Sequence, residues 1–223
     1  MNHAAVDFSA NKKKQRQATF STQPSVLADI YKEQINLAVW QNSLTDEVMQ
    51  DIEALMGDIT HLKAVITVTP DNIINLLAEH SNTLKDKHAF CQYVATLVDM
   101  FCTLFELEHA GLRLNLLDNA MCPKFHVDRV PCRLITTFSG IATEWLPHNQ
   151  IDRSKLGAGS KGKPDEQSGI MQGEIEIQHL STGDVGLLKG EGWYNNENAG
   201  LVHRSPALNN NERRLLLTLD FIN

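Results

Sequence analysis

The hydrophobic pattern of the chain changes at Gly111. From there on, short segments with alternating apolar and polar residues, or with many β-branched residues, are separated by Gly, Pro, Asn or Asp. The segments are GLRLNLL, FHVD, CRLITTF, TEWL, GEIEIQHL, DVGLLKG, GLVH and RRLLLTLDF. Alternation with a period of two is typical of strands, and many short strands with turn signals predict an antiparallel sandwich or barrel.

The first half of the chain carries a helical pattern instead. Apolar residues recur at helical spacing within SLTDEVMQDIEALM and again between Phe90 and Phe105. Strands are predicted here only at residues 35–39 and 63–69. Because helices precede the strands and do not alternate with them, the predicted fold class is α+β.

These patterns predict one domain over residues 25–223, which is long enough to bury a sizeable core. Residues 25–110 supply mainly helical support, and residues 111–223 form the β-rich core. Residues 1–24 are polar and predict a flexible tail. The Gly-, Lys- and Ser-rich stretch 147–169 predicts a long loop that is either functional, as a lid, or disordered.

The charge of the chain argues against two classes of partner. Its net charge is -7 and its pI is about 5.7, whereas nucleic acids and anionic membranes attract basic surfaces. We find no apolar run of the length that spans a bilayer and no signal-peptide core, so we expect a cytoplasmic protein. The four cysteines form no CxxC pair and are expected to be free thiols. No oligomeric state follows from the sequence.

The segment FHVD holds the first candidate metal ligands. In a strand, residues two apart point to the same face, so His126 and Asp128 present an imidazole and a carboxylate together. His203, at the end of GLVH, is the best candidate for a third ligand. Two histidines and one carboxylate with open positions form the facial triad of non-haem Fe(II) oxygenases.

A zinc site is the alternative for the same region. Cys122 lies four residues before His126, and Cys132 lies four residues after Asp128. With His126 and His203, the two thiols would complete a closed Cys₂His₂ zinc site, although such sites usually use more closely spaced pairs. Otherwise, the two cysteines are small buried hydrophobic residues beside the site.

The order of these motifs resembles the double-stranded β-helix oxygenases that use Fe(II) and 2-oxoglutarate. The resemblance rests on the HxD motif at His126 and Asp128, the distal His203, and an arginine about ten residues later. It implies a jelly-roll, cupin-like core, a hydroxylation reaction, and an arginine on the last core strand that binds the far carboxylate of 2-oxoglutarate. Arg214, in the run Arg-Leu-Leu-Leu-Thr, fits that position better than Arg213, and the two neighbours point to opposite faces.

A closer resemblance covers roughly residues 30–222. CPKFHVDRVPCRLITTFSGIATEWLPH, GDVGLLKGEGW and VHRSPALNNNERRLLLTLDF are similar to a bacterial domain-of-unknown-function family, number 1826. The resemblance implies no particular activity. It does imply genes encoded near zinc-responsive genes and metal-chaperone GTPases, which points to a metal-binding role.

Five further residues are candidates for substrate binding or for support of the ligands. Arg129 and Arg133 either hold substrate or co-substrate anions or pair with carboxylates at the end of the barrel. Arg113 faces either solvent or the barrel mouth. Trp145 and Trp193 either line a substrate pocket or pack within the barrel.

The sequence thus predicts an Fe(II)/2-oxoglutarate-dependent hydroxylase whose substrate, a small molecule or a protein, is not identified. The alternative is a non-catalytic, cupin-like protein that binds zinc or another metal in metal homeostasis. An open cavity with Arg214 inside would favour the oxygenase. A thiolate of Cys122 or Cys132 on the metal would favour the metal-binding protein.

Overall fold

The structure, a computed structural model, describes residues 15–222 apart from residues 172 and 174. Residues 1–14 of the predicted tail lie outside this range. The strands are β1 (Gln17–Ser21), β2 (Ile35–Trp40), β3 (Lys63–Val68), β4 (Ala110–Leu117), β5 (Cys132–Ser139), β6 (Glu144–Leu146), β7 (Gln178–His179), β8 (Val185–Lys189), β9 (Val202–Arg204) and β10 (Arg214–Asp220). The helices are α1 (Asp46–Asp58), α2 (Ile73–His80), α3 (Asn82–Lys85), α4 (His88–Phe105) and α5 (Asp165–Ser168), with 3₁₀ turns at Pro24–Tyr31, His148–Gln150, Arg153–Lys155 and Gly157–Ser160.

The prediction of a flexible tail over residues 1–24 is wrong for its last part. Residues Gln17–Ser21 form β1, which pairs in parallel with β2 at the edge of the large sheet. Phe20 of this strand lies against Trp145, with ring centroids 6.4 Å apart. The segment has few large apolar residues, so the pattern gave little sign that the backbone would pair with a strand.

The strands form two sheets. The larger has the order β1-β2-β8-β5-β10-β4-β3, and the smaller has the order β7-β6-β9. From β4 onward the chain passes back and forth between the sheets, and among the described residues every strand pair except β1–β2 is antiparallel. A backbone bridge to His203 adds His126 to the edge of the small sheet. This is the predicted α+β fold with a jelly-roll core.

Strand β10 shows how the two faces of the large sheet differ. Leu215, Leu217 and Leu219 belong to the main core under the helices, whereas Leu216 belongs to the core between the two sheets. Alternation therefore also directs Arg214 and the other even-numbered residues of β10 toward the inside of the jelly roll. Both faces are buried, so the strand is almost continuously apolar.

Helix α4 is the central element of the helical layer. By length and composition it is apolar enough to cross a membrane, which differs from our expectation that no run approached this length. Half of the helix is buried inside the protein, where it contributes residues such as Phe90 and Phe101 to the main core. Packing against the large sheet therefore accounts for its apolar composition.

The stretch 147–169 is more regular than its sequence predicted. It contains three 3₁₀ turns and the short helix α5. Ile151, within the stretch, and Ile170, directly after it, belong to a third hydrophobic cluster. The cluster also contains Phe125, Leu146 and Val202. The stretch therefore lies against the small sheet, beside the segment that carries His126.

Candidate metal centre

The structure brings the three predicted metal ligands together. One ligand atom from each of His126, Asp128 and His203 lies within 4.8 Å of the others. His203 Nε2 is 3.5 Å from Asp128 Oδ2, and His126 Nε2 is 3.9 Å from Asp128 Oδ1. In the part of the chain that the structure describes, no other histidine, cysteine or carboxylate joins such a group.

The predicted strand over FHVD is not formed as such. His126 makes a bridge in which its amide and that of His203 each donate to the other residue's carbonyl at 3.0 Å. Asp128 follows in irregular backbone outside the named strands. The bridge places the two imidazoles side by side, with centroids 4.6 Å apart. The carboxylate ligand, Asp128, therefore comes from irregular backbone and not from strand alternation.

The hydrogen bonds of the two histidines leave the same nitrogen free in each ring. His126 Nδ1 lies 2.9 Å from the Lys124 carbonyl, and His203 Nδ1 lies 3.3 Å from the Leu201 carbonyl. Because a carbonyl only accepts, Nδ1 carries the proton in both rings. Each Nε2 therefore faces the Asp128 side of the group and is free to bind a metal. Metal-bound histidines commonly have this arrangement, with the other ring nitrogen donating to a carbonyl.

The electrostatics of the group fit a divalent cation. Burial, the largest effect, lowers the pKa of His203 to about 4, so this imidazole is neutral and available as a ligand. Asp128 Oδ2 is buried without a hydrogen-bond partner, although Arg133 Nη1 lies 2.8 Å away in an ion pair. Two imidazoles and one carboxylate form the open donor set that suits Fe(II).

The structure does not bring the thiols of the alternative zinc site to the histidines. Cys132 is fully buried in the main core under the helices, on the opposite face of β5 from Arg133. Cys122 is exposed at the edge of the cavity beside the ligands and is not part of the ligand group. The predicted Cys₂His₂ site is therefore wrong. Successive residues of a strand face opposite sides, so β5 turns the Cys132 thiol away from the histidines when Arg133 faces the cavity.

The two neighbouring arginines point to opposite faces, as predicted. Arg213 donates to the carbonyls of Ile59 and Met56, at 2.6 and 2.8 Å, at the end of α1. Arg214 lies inside the jelly roll and is only 2% exposed. Burial lowers the pKa of Arg214 to about 10, and no carboxylate of the described residues offsets that effect.

Three hydroxyl groups hold the guanidinium of Arg214. Its Nη2 donates to Thr143 Oγ1 at 2.7 Å and to Thr137 Oγ1 at 3.0 Å, and its Nη1 donates to Ser205 Oγ at 3.3 Å. Thr143 and Ser205 line the same cavity as His126 and His203. A buried cation without a counter-ion thus stands beside the candidate ligands, which is the environment of an anion site.

Two of the other predicted arginines line this cavity, and the third does not. Arg133 pairs with Asp128 and with Asp220, the second of the two roles weighed for it. Arg113 faces the barrel mouth and contacts Asp220 at 3.2 Å. Arg129 is exposed and outside the cavity lining, so its predicted place at the site is wrong.

Only one of the two tryptophans lies next to a candidate ligand: Trp145 on β6 is the cross-strand partner of His203 on β9. Trp193 packs by its ring edge against Tyr31, at 5.3 Å between centroids, on the helical side of the large sheet. Trp145 is buried between the sheets and borders a second cavity of about 1100 Å³ near β1 and β2. Their large aromatic surfaces are used mainly for packing.

Sequence reasoning missed several residues of the site: Thr137, Thr143, Arg204, Ser205 and Asp220. Alternation along β10 from Arg214 would have indicated Asp220, and alternation from His203 would have indicated Ser205. Nothing in the local pattern distinguishes Thr143 or Thr137, because their roles depend on how β5 and the small sheet face one another.

Comparison with known proteins adds a family and a fold. The model of the family described as "Protein of unknown function (DUF1826)" matches residues 21–220, whereas no curated protein matches the sequence. The dioxygenase for auxin oxidation 1 from Arabidopsis thaliana, in its binary complex with 2-oxoglutarate, is 8% identical with a TM-score of 0.50, and the match covers 94% of this chain and 93% of that one. A prolyl-4-hydroxylase from Pseudomonas putida is 11% identical, with coverage of 88% and 96% and a TM-score of 0.42.

The likeness to the Arabidopsis structure extends over nearly all of both chains and concerns the fold. The family match extends over almost the whole described chain, from the last residue of β1 to the end of β10, and it contains all three candidate ligands and Arg214. The chain therefore belongs to the family of proteins of unknown function DUF1826.

Proposed function

We propose that the protein is an oxygenase that depends on Fe(II) and 2-oxoglutarate and hydroxylates its substrate. One observation carries the proposal: Arg214 is buried beside the His-Asp-His group without a carboxylate partner among the described residues. A buried guanidinium without a counter-ion is costly unless an anion binds to it. Its planar donors suit a bidentate carboxylate.

The spacing between Arg214 and the ligands fits a short dicarboxylate. His203 is a candidate ligand, and Ser205, two residues further along the chain, holds Arg214 Nη1. Two residues of extended backbone cover about 6–7 Å. This is comparable to the length of a five-carbon dicarboxylate, so one end can reach the metal while the other pairs with Arg214.

The chain's own residues have separate tasks in this proposal. His126, Asp128 and His203 hold the metal, and Arg214 with its three hydroxyl partners fixes the far carboxylate of the co-substrate. When bound, Fe(II) and 2-oxoglutarate supply the activation of O₂. Arg133 orients Asp128 through their ion pair, and the buried surroundings of His203 keep its imidazole neutral. The complex of the Arabidopsis dioxygenase with 2-oxoglutarate, a protein of similar fold, is consistent with this co-substrate.

The alternative, a non-catalytic zinc- or other metal-binding protein in metal homeostasis, shares the same three ligands. It gains no thiolate from the structure, because Cys122 and Cys132 stand apart from the ligand group. It also leaves the buried charge of Arg214 without a role. The oxygenase therefore accounts for more of the site.

Anaerobic titration tests the proposal. Apo-protein receives Fe(II) and then 2-oxoglutarate, and the expected result is a weak visible charge-transfer band that requires both additions. Asp128→Ala should weaken or abolish the band. Arg214→Met should weaken 2-oxoglutarate binding by about tenfold or more, because it removes a charge-assisted, bidentate contact.

Arg213→Met is the matched control, since it makes the same substitution one residue away on the opposite face of the sheet. It should leave the affinity for 2-oxoglutarate unchanged. A wild-type protein that binds zinc tightly and gives no band with Fe(II) and 2-oxoglutarate would contradict the oxygenase and leave the metal-binding protein.

A further inference from the structure

The cavity beside the candidate ligands has a cationic lining. Three arginines, Arg113, Arg133 and Arg204, contribute to its wall, and no carboxylate of the described residues does. A divalent metal and a dianionic co-substrate carry opposite charges of equal size, so loading them would leave this lining cationic.

The three arginines differ in how many carboxylates already pair with them. Arg133 is bidentate to Asp220, with contacts of 2.7 and 3.1 Å, and also pairs with Asp128. Arg204 pairs with both Glu144 and Asp165. These two arginines are therefore held by at least two carboxylates each, which limits what they can offer to a ligand.

Arg113 has the weakest hold on an acidic partner. Its Nη1 makes a single contact of 3.2 Å with Asp220 Oδ2, an oxygen that Arg133 also uses. Its side chain is 47% exposed at the cavity mouth. One carboxylate thus serves two guanidinium groups, and most of the donors of Arg113 remain available to a ligand.

Asn115 adds an independent sign of a ligand at the same wall. It lies two residues after Arg113 on β4, so both side chains face the cavity. It is 7% exposed, and its Oδ1 is buried without a hydrogen-bond partner among the described residues. An unsatisfied buried oxygen is unfavourable, so a ligand that donates a hydrogen bond to it would bind favourably.

The rest of the wall near these two residues is apolar. Ile135 and Leu216 line the cavity from β5 and β10, and the exposed Met121 lies at its edge. A ligand in this space therefore meets one available cation, one unsatisfied acceptor and several apolar side chains. These features match a small organic acid with an apolar body and a hydrogen-bond donor.

We propose that the substrate is such an organic acid, with its carboxylate on Arg113 and its donor group on Asn115. The inference rests on the proposed oxygenase function, and it names the chemical class that the same cavity accepts. Arg113 is a substrate-binding residue in this assignment, and Arg214 remains reserved for the co-substrate.

Binding of matched pairs of ligands tests the assignment without turnover. The full-length protein is loaded with Zn(II) and 2-oxoglutarate, and saturation-transfer NMR compares small hydroxy acids with their primary amides, such as 4-hydroxyphenylacetate with 4-hydroxyphenylacetamide and 6-hydroxyhexanoate with 6-hydroxyhexanamide. The acid of each pair should bind at least tenfold more tightly. In Arg113→Gln the preference should fall to within twofold, and Arg113→Glu should exclude the acids.

Arg129→Gln is the matched control, because it removes the same charge from an exposed arginine outside the cavity lining. It should retain the full preference for the acids. Equal binding of acids and amides, no binding of any acid, or a preference that survives in Arg113→Gln would each overturn the assignment.

The Fe(II)/2-oxoglutarate band separates this inference from the proposed function. A wild-type protein that gives the band and shows no preference for acids is an oxygenase with another substrate class. A protein that gives no band but loses its acid preference in Arg113→Gln has the acid site without the proposed activity. An unchanged band in Arg113→Gln would show that this substitution leaves the fold and the metal site intact.

Discussion

Arg133 joins the candidate metal ligands to the last strand of the large sheet. On one side it lies 2.8 Å from Asp128, and on the other it is bidentate to Asp220 of β10. Burial is the largest single effect on the pKa of Arg133 and lowers it. The charges and hydrogen bonds of the two carboxylates together outweigh burial, so the pKa is raised. An arginine held so firmly can fix the orientation of Asp128 before a metal binds.

We therefore expect Arg133→Gln to weaken binding of a divalent metal by about 10–100-fold, the usual effect of removing a partner that orients a ligand. The measurement is a titration with Mn(II), followed by electron paramagnetic resonance. Arg129→Gln removes an exposed arginine and should leave the affinity unchanged. If Arg133→Gln is folded and binds Mn(II) as tightly as wild type, Arg133 does not position Asp128.

Lys189 is a second buried charge, on the helical side of the large sheet. It is 2% exposed, donates to the Lys32 carbonyl at 3.0 Å, and lies 4.8 Å from the centroid of the Trp193 ring. Burial, with a smaller effect from Arg16, lowers the pKa of Lys189 from 10.5 to about 8. Between pH 8 and 10.5 the unfolded chain therefore binds more protons at this position than the folded protein does.

This difference makes the contribution of Lys189 to stability rise with pH across that window. Lys189→Met should have a higher free energy of unfolding than wild type, and the difference should be largest at pH 7. It should shrink by on the order of 2 kcal/mol as the pH approaches 10.5. Urea unfolding at several pH values measures it, with Lys85→Met as a control for loss of net charge at an exposed position. A pH-independent difference between Lys189→Met and wild type would contradict the prediction.

At the scale of elements, helix α5 ties the stretch 147–169 to the candidate metal site. Asp165, in its first turn, accepts a hydrogen bond from the Phe125 amide at 2.9 Å and pairs with Arg204 at 3.0 Å. Phe125 directly precedes the ligand His126, and Arg204 directly follows the ligand His203. One carboxylate thus connects this stretch to both segments that carry the histidines.

Removing that carboxylate in Asp165→Ala should cost about 1–3 kcal/mol, because the Phe125 amide loses its acceptor in a buried position. We expect faster amide hydrogen exchange over residues 147–169 and at residue 125, measured by mass spectrometry. Glu166→Ala is the control, since Glu166 is largely exposed and contacts Arg204 only at 3.4 Å. Exchange that speeds up equally in both variants would show that Asp165 is not the anchor.

Local pattern predicted most elements but not their lengths. The stripes of α1 and α4 and the alternation of β4, β5, β8 and β10 are present as expected. FHVD, however, forms only a bridge, and GEIEIQHL contains a strand of two residues, β7. Alternation indicates extended backbone, whereas a strand also needs a neighbour with free hydrogen-bonding groups, and that depends on the sheet as a whole.

At the scale of the whole molecule, the helices and the jelly roll share one core. Phe90 of α4 is fully buried and meets Phe138 of β5 edge to face, with centroids 4.9 Å apart. The main cluster contains residues of the helices, the large sheet and the turn before β2. We therefore expect residues 25–110 and 111–223 to unfold together, as the predicted single domain requires.

Phe90→Ala should lower the free energy of unfolding by about 3–5 kcal/mol, because it leaves a cavity at the junction of the two layers. Far-UV and near-UV circular dichroism should give coincident transitions in wild type and variant. Phe20→Ala, at a position that is 45% exposed, should cost much less. Separate transitions for helices and strands would show that the two halves are independent domains.

The sequence by itself determined the periodicity of each segment, the change from helices to strands at Gly111, and the identity of the candidate ligands. It also determined that Arg213 and Arg214 face opposite sides, because this follows from the geometry of any strand. Only the tertiary structure decided which of them lies inside, that Asp128 meets the histidines from irregular backbone, and that Cys132 faces the helices. Periodicity specifies that a strand has two faces, but which face borders the cavity is decided by the layers that pack against it.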